Sequence, residues 1–239
     1  MNAMSEFAAE PRERSILVWD APVRVFHWLM VASFAGAYLT GESERWRLVH
    51  VTLGYTMAGL VVFRILWGLF GTHYARFTSF VRGPKAIASY LSGLWRGQHE
   101  PHTGHNPAGA IAIVALLALT GLLTFTGWIA YNDLAGSWLK EAHESVANVM
   151  LAIVGVHVGA VLWTSWRFRE NLVGAMVTGR KPGAPEQGIR RAWRGLAAVM
   201  LVAVLGFWWT QWTAAPVAGT PAHSAIGKHH DGDQHGHDD

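Results

Sequence analysis

Five apolar runs, Val25–Leu39, Val49–Phe70, Ala108–Tyr131, Val146–Trp166 and Leu196–Trp212, constrain this chain more than any other feature. About 20 helical residues cross the hydrocarbon core of a bilayer. A soluble helix of that length would show one apolar stripe rather than an apolar circumference. Five such runs in 239 residues leave little room for a soluble domain. The chain therefore reads as an all-α polytopic membrane protein. Its first run has only 15 residues, but it reaches spanning length if the helix starts near Pro22, whose missing N–H is harmless in a first turn. Glu6, Glu10 and Glu13 interrupt the N-terminus. No small-residue cleavage site follows a short apolar core there, so a cleavable signal is not expected.

The basic residues alternate in side along the chain. Arg12, Arg14 and Arg24 precede or open the first run, and Arg76, Arg82, Lys85 and Arg96 lie between the second and third. Arg167, Arg169, Arg180, Lys181, Arg190, Arg191 and Arg194 lie between the fourth and fifth. The opposite side has only Arg45, Arg47, Lys140 and Lys228. The positive-inside rule then places the N-terminus in the cytoplasm and the C-terminus outside. With no basic face and no aromatic reading module, this charge speaks for topology and against nucleic-acid binding. Many tryptophans, among them Trp19, Trp67, Trp128, Trp163 and Trp193, fall near span ends, as interfacial anchors do.

Four regions follow: a cytoplasmic N-terminal segment (1–20), a four-helix bundle (21–180), a linker with a fifth transmembrane helix (181–213), and a polar tail (214–239). A short interfacial helix is expected around Lys85–Trp95, with Tyr90, Leu91 and Trp95 toward the headgroups. His99, His102 and His105 read as a solvated loop. The tail carries five histidines and several aspartates, and reads as a disordered polar segment with loose binding of a transition metal as the alternative.

The chain has no cysteine, which excludes disulfides, cysteine-held iron–sulfur clusters and covalently attached haem. A redox cofactor would be held by histidine or by shape. Four histidines, His27, His50, His143 and His157, lie in or at the edge of apolar runs. An ionisable group at membrane depth is costly and needs a partner. His27 is near the inner end of the first span, and His50 opens the second at the outer face. His143 opens the fourth from the outer face, and His157 follows 14 residues later, about 21 Å deeper and on nearly the same helix face. Depth therefore pairs His27 with His157 inside and His50 with His143 outside. Two imidazoles at each level suit the axial positions of a haem iron, and two stacked haems would form an electron path across the bilayer. Gly36, Gly54, Gly155 and Gly159 would allow close approach of helices or of a macrocycle. Arg64, the one charge well inside a span, and Arg24, just before His27, are candidates to bind a propionate of the inner haem, with snorkelling to headgroups as the alternative.

The stretches "WDAPVRVFHW" (19–28), "HVTLGY" (50–55) and "HESVANVMLAIVGVHVGAVL" (143–162) resemble the bacterial cytochrome b561-type family, including the b-type cytochrome subunits that accompany nickel–iron hydrogenases. The resemblance covers roughly residues 16–180. It implies a multi-pass protein of the bacterial inner membrane with a periplasmic C-terminus. It also implies two haems b, ligated at the positions of His27, His50, His143 and His157, and electron exchange between the quinone pool and a redox partner. That partner would be a hydrogenase or a periplasmic c-type cytochrome. No catalytic residue is expected in the chain itself, which reads as an electron-carrying subunit rather than an enzyme with a complete reaction. Two alternatives stand: a self-sufficient superoxide:quinone oxidoreductase, and a metal-ion binding or transport protein.

Overall fold

The computed structural model describes residues 14–81, 83–97, 102–134 and 136–214. The His-rich tail and His99 lie outside them. Strand β1 (Arg14–Leu17) leads into helix α1 (Ala21–Thr40). Asp20 caps α1 by accepting a hydrogen bond from Val23 N at 2.8 Å, and Pro22 occupies the first turn, where it costs nothing. After a short link comes α2 (Arg47–Phe70), then the brief α3 (Phe77–Phe80) and α4 (Pro84–Trp95). Asn106 caps α5 (Pro107–Tyr131) through Gly109 N, repeating the polar-cap-then-proline device of α1. The longest helix, α6 (Trp138–Phe168), is followed by α7 (Leu172–Thr178), β2 (Arg180–Gly183) and α8 (Arg194–Thr213).

Four of these helical stretches, Glu44–Phe70, Pro107–Tyr131, Trp138–Phe168 and Arg194–Thr213, are long and apolar enough to cross a membrane. α1 is not among them, because Arg24 and His27 in its first two turns lower its hydropathy. Its 20 residues still span about 30 Å. It packs along α2 and α8, while α2 meets α5 and α5 meets α6. Phe34, Met57, Leu123 and Met150, one from each of α1, α2, α5 and α6, form the central cluster. Buried threonines return their hydroxyls to their own helix: Thr56 to Thr52 O, Thr120 to Leu116 O and Thr126 to Leu122 O. This satisfies polar groups that lipid could not. α8 docks on α2 through Trp208 Nε1, which donates to Thr56 Oγ1 at 2.9 Å.

The pole at which α1 begins carries a folded cap that the sequence did not suggest. β1 and β2 pair antiparallel, with Ile16 opposite Lys181, so the N-terminal segment and the segment after α7 form one ribbon. Gly179 takes a left-handed conformation (φ 81°) at the end of α7, where the carbonyl of Trp19 leaves no room for a Cβ. Ile16, Val18, Trp19 and Ala175 make a second small core. The loop before α5 is fastened to this cap. Lys181 Nζ donates to His102 O at 2.7 Å and pairs with Glu170 at 3.6 Å. Thr103 donates to Gln187 Oε1, whose backbone carbonyl accepts from Tyr74. His105 is not a solvated loop residue: its ring lies 4.3 Å from that of Trp19 and 4.9 Å from that of Phe80. The interfacial helix is present as α4, but Tyr90 packs against the ring of His102 rather than standing free at the headgroups.

Candidate functional site

At the pole away from the start of α1, labelled outer after the orientation expected from the charges, the starts of α2 and α6 bring two imidazoles face to edge. The ring centres of His50 and His143 are 6.1 Å apart at 78°. His50 Nδ1 donates to Ala37 O at 2.8 Å, across to α1. His143 Nδ1 donates to Leu123 O at 3.1 Å and lies 3.2 Å from Thr126 Oγ1, both on α5. A carbonyl can only accept, so each Nδ1 bears the proton and each Nε2 keeps its lone pair. This is the tautomer of a metal-ligating histidine with its outer-shell partner in place. An imidazole–metal bond of about 2.0 Å plus about 1.1 Å from ring nitrogen to ring centre puts trans imidazoles roughly 6 Å apart. The observed spacing fits one metal between the rings.

The surroundings fit a flat apolar group. A cavity of about 340 Å³ adjoins both rings, lined by Phe34, Tyr38, Met57, Leu123 and Trp128 among others. Gly54 is on its wall, and a Cβ there would touch nothing within 4 Å. Gly127 is a site residue that sequence reasoning missed. A Cβ at that position would stand 2.9 Å from His143 Cε1, so only glycine lets α5 approach the ring. The signal was available only as one more glycine in an apolar run. Among the described residues no group of three or more His, Asp or Glu is placed to hold a bare metal ion. Two opposed imidazoles without further protein ligands suit a metal whose remaining positions are filled by its own macrocycle.

At the inner pole His27 lies within electrostatic reach of His157. His27 Nδ1 is buried with no hydrogen-bond partner among the described residues, a condition that suits a ring committed to a non-protein group. Arg64 is 3% exposed and does not snorkel. Its guanidinium donates to Ala75 O at 3.0 Å and stacks 5.0 Å from the ring centre of Phe77. Arg24 donates to Val177 O at 2.6 Å, while its Nε is buried without a partner among the described residues. Fully buried Asp20 balances both arginines electrostatically, and its Oδ2 accepts from Trp67 Nε1 at 3.0 Å and from Thr72 Oγ1. His105 joins this pole from the loop before α5. Burial, helped by the charges of Arg64 and Lys181, pushes its pKa down to about 3, so it is neutral at pH 7. Gly155 and Gly159, two positions either side of His157, point about 200° round the helix from it. A Cβ at either would meet nothing within 4 Å. Gly36 instead receives the side chain of Leu53.

The model of the prokaryotic cytochrome b561 family matches residues 18–179, a span that contains all four histidines. The chain belongs to that family. Curated relatives are named as probable Ni/Fe-hydrogenase B-type cytochrome subunits. One from Rhizobium leguminosarum bv. viciae is 22% identical over 220 residues, covering 70% of this chain and 89% of the relative. One from Azotobacter vinelandii is 25% identical over 218 residues, with the same two coverages of 70% and 89%. An Escherichia coli (strain K12) subunit is 25% identical over 143 residues, and the match spans 48% of this chain and 60% of that protein. No solved structure matches the chain. As a cytochrome b561 family member, the protein is a multi-pass membrane protein whose business is electron transfer with haem b.

Proposed function

We propose that this chain holds two haems b, one between His50 and His143 and one between His27 and His157, and carries electrons across the bacterial inner membrane. It exchanges them between quinone and a redox protein. The observation that carries this reading is the outer pair: two rings 6.1 Å apart, each with Nδ1 tied to a backbone carbonyl of another helix. Haem b, when bound, supplies a one-electron ferric/ferrous couple.

The chain's own residues orient and insulate that couple. Ala37 O and Leu123 O fix the rotation and tautomer of the outer imidazoles and raise their basicity. Phe34, Met57, Leu123 and Met150 fill the level between the two pairs and exclude water. Arg64 and Arg24 supply positive charge beside the inner pair, suited to a propionate. His50 with His143, and His27 with His157, would hold the iron of each haem, and it would supply electron transfer without binding substrate. The hydrogenase subunit names of the relatives favour a hydrogenase-like partner, and a c-type cytochrome is the other partner of suitable chemistry.

Haem stoichiometry tests the proposal. Pyridine haemochrome quantification of the purified chain should give two haems b per polypeptide, and a short-chain quinol should reduce them. A colourless preparation would overturn the reading. One haem per chain would restrict it to the outer pair.

A further inference from the structure

A second cleft lies at the inner pole, away from the histidine pairs. It has a volume of about 700 Å³ and lies between the end of α2 and the start of α8, lined by Thr72, His73, Gln187, Arg190, Arg191 and Trp193 among others. The segment 184–193 that forms one wall lies beyond residue 179, where the family match ends. The opposite wall, Thr72 to Tyr74, lies within the matched span. Its walls are fixed: Tyr74 donates to Gln187 O at 2.8 Å, Ile189 N donates to Leu17 O at 2.8 Å, and Ala21 N donates to Ala192 O at 2.8 Å.

The chemistry of the lining is cationic and amphipathic. Arg190 and Arg191 are exposed, and neither makes an ion pair or a side-chain hydrogen bond among the described residues. Two adjacent guanidiniums without partners are forks for phosphate oxygens. Glu186 is the one carboxylate on the lining. The depth is that of lipid headgroups: Trp193 immediately precedes spanning helix α8, and its ring packs edge-on against Trp67 at 5.4 Å. The last turns of α2, which lead into Thr72 and His73 on the lining, expose Leu66, Leu69 and Phe70. A ligand complementary to these features has a phosphate above and acyl chains beneath.

We infer that this cleft binds an anionic phospholipid, with its phosphate between Arg190, Arg191 and His73 and its acyl chains along Leu66, Leu69 and Phe70. Basic pockets on the cytoplasmic side of helical membrane proteins take such headgroups, and each arginine near the surface favours an anionic lipid. The inference does not depend on the number of haems or on the redox partner.

Native mass spectrometry of the delipidated, haem-loaded protein tests it, with phosphatidylglycerol, phosphatidylcholine and inorganic phosphate as separate probes. Phosphatidylglycerol should be retained in preference to phosphatidylcholine, and more weakly as salt rises. The double variant Arg190→Gln/Arg191→Gln should lose about 30-fold in phosphatidylglycerol retention, with an unchanged haem spectrum as proof of folding. Glu186→Gln should bind it more tightly. Equal retention of the two lipids, or indifference to the double substitution, would overturn the inference. So would occupancy by inorganic phosphate with no lipid retained, which would make the cleft a site for a soluble anion.

Discussion

The two poles of the bundle set their histidines by different means. At the outer pole everything is supplied by the long helices of the bundle. His50 and His143 leave α2 and α6, and their second nitrogens end on carbonyls of α1 and α5. At the inner pole His27 has a buried nitrogen with no such partner, and the charges around it are held by extramembrane structure. Arg64 is anchored to the carbonyl of Ala75, and Arg24 to that of Val177 at the end of α7. A site made of helix backbone is fixed as soon as the helices pack. A site finished by a cap depends on the cap.

The largest expected effect tests whether the poles are separate at all. His50→Ala and His143→Ala should each abolish the same haem spectral component, and His27→Ala and His157→Ala the other. If His27→Ala removed the component lost with His143→Ala, the pairing by depth would be wrong. Next comes the close approach at the outer pole. Gly127→Val, read by haem titration, should push the ring of His143 aside and weaken the outer component by about tenfold, within the range seen for disturbed outer-shell partners. The inner component should stay.

Arg64→Gln tests the dependence on the cap. Losing a buried, charge-assisted hydrogen bond costs about 1.5–3 kcal/mol, which should appear as a lower melting temperature and a weakened inner component. An equal loss at both poles would break the contrast. The smallest effect is that of pH on the cap. His105 titrates near 3 when folded against 6.5 in an unfolded chain, so between those values the unfolded state binds more protons. Stability should fall as pH drops from 6.5 toward 3. In a thermal melt series over that range, His105→Phe should remove part of the acid sensitivity without moving the outer spectral component.

What could be read in advance follows from range. The membrane class and the spans came from apolar run length, because a bilayer imposes one length on every helix that crosses it. α1 shows the limit: Arg24 and His27 weaken its apolar signal, yet it packs fully against α2 and α8. The candidate histidines were visible because a polar ring in an apolar run is rare. The cap was not visible. Arg14–Leu17 and Arg180–Gly183 are four-residue strands 163 residues apart at the closest, too short to carry a period and joined only by long-range pairing. His105 looked like part of a histidine-rich loop because nothing local marks the stacking of Trp19 against it.

The sequence by itself determined the spacing along each helix: 14 residues between His143 and His157 set two levels, whatever surrounds them. Helical rise is a local property and needs no partner to be known. Only the tertiary structure decided which atoms stand behind the rings of His50 and His143. Ala37 O, Leu123 O, Thr126 and Gly127 belong to other helices, and their distances depend on how the helices pack. The tautomers of His50 and His143, and with them the capacity to ligate a metal, follow from those contacts between helices.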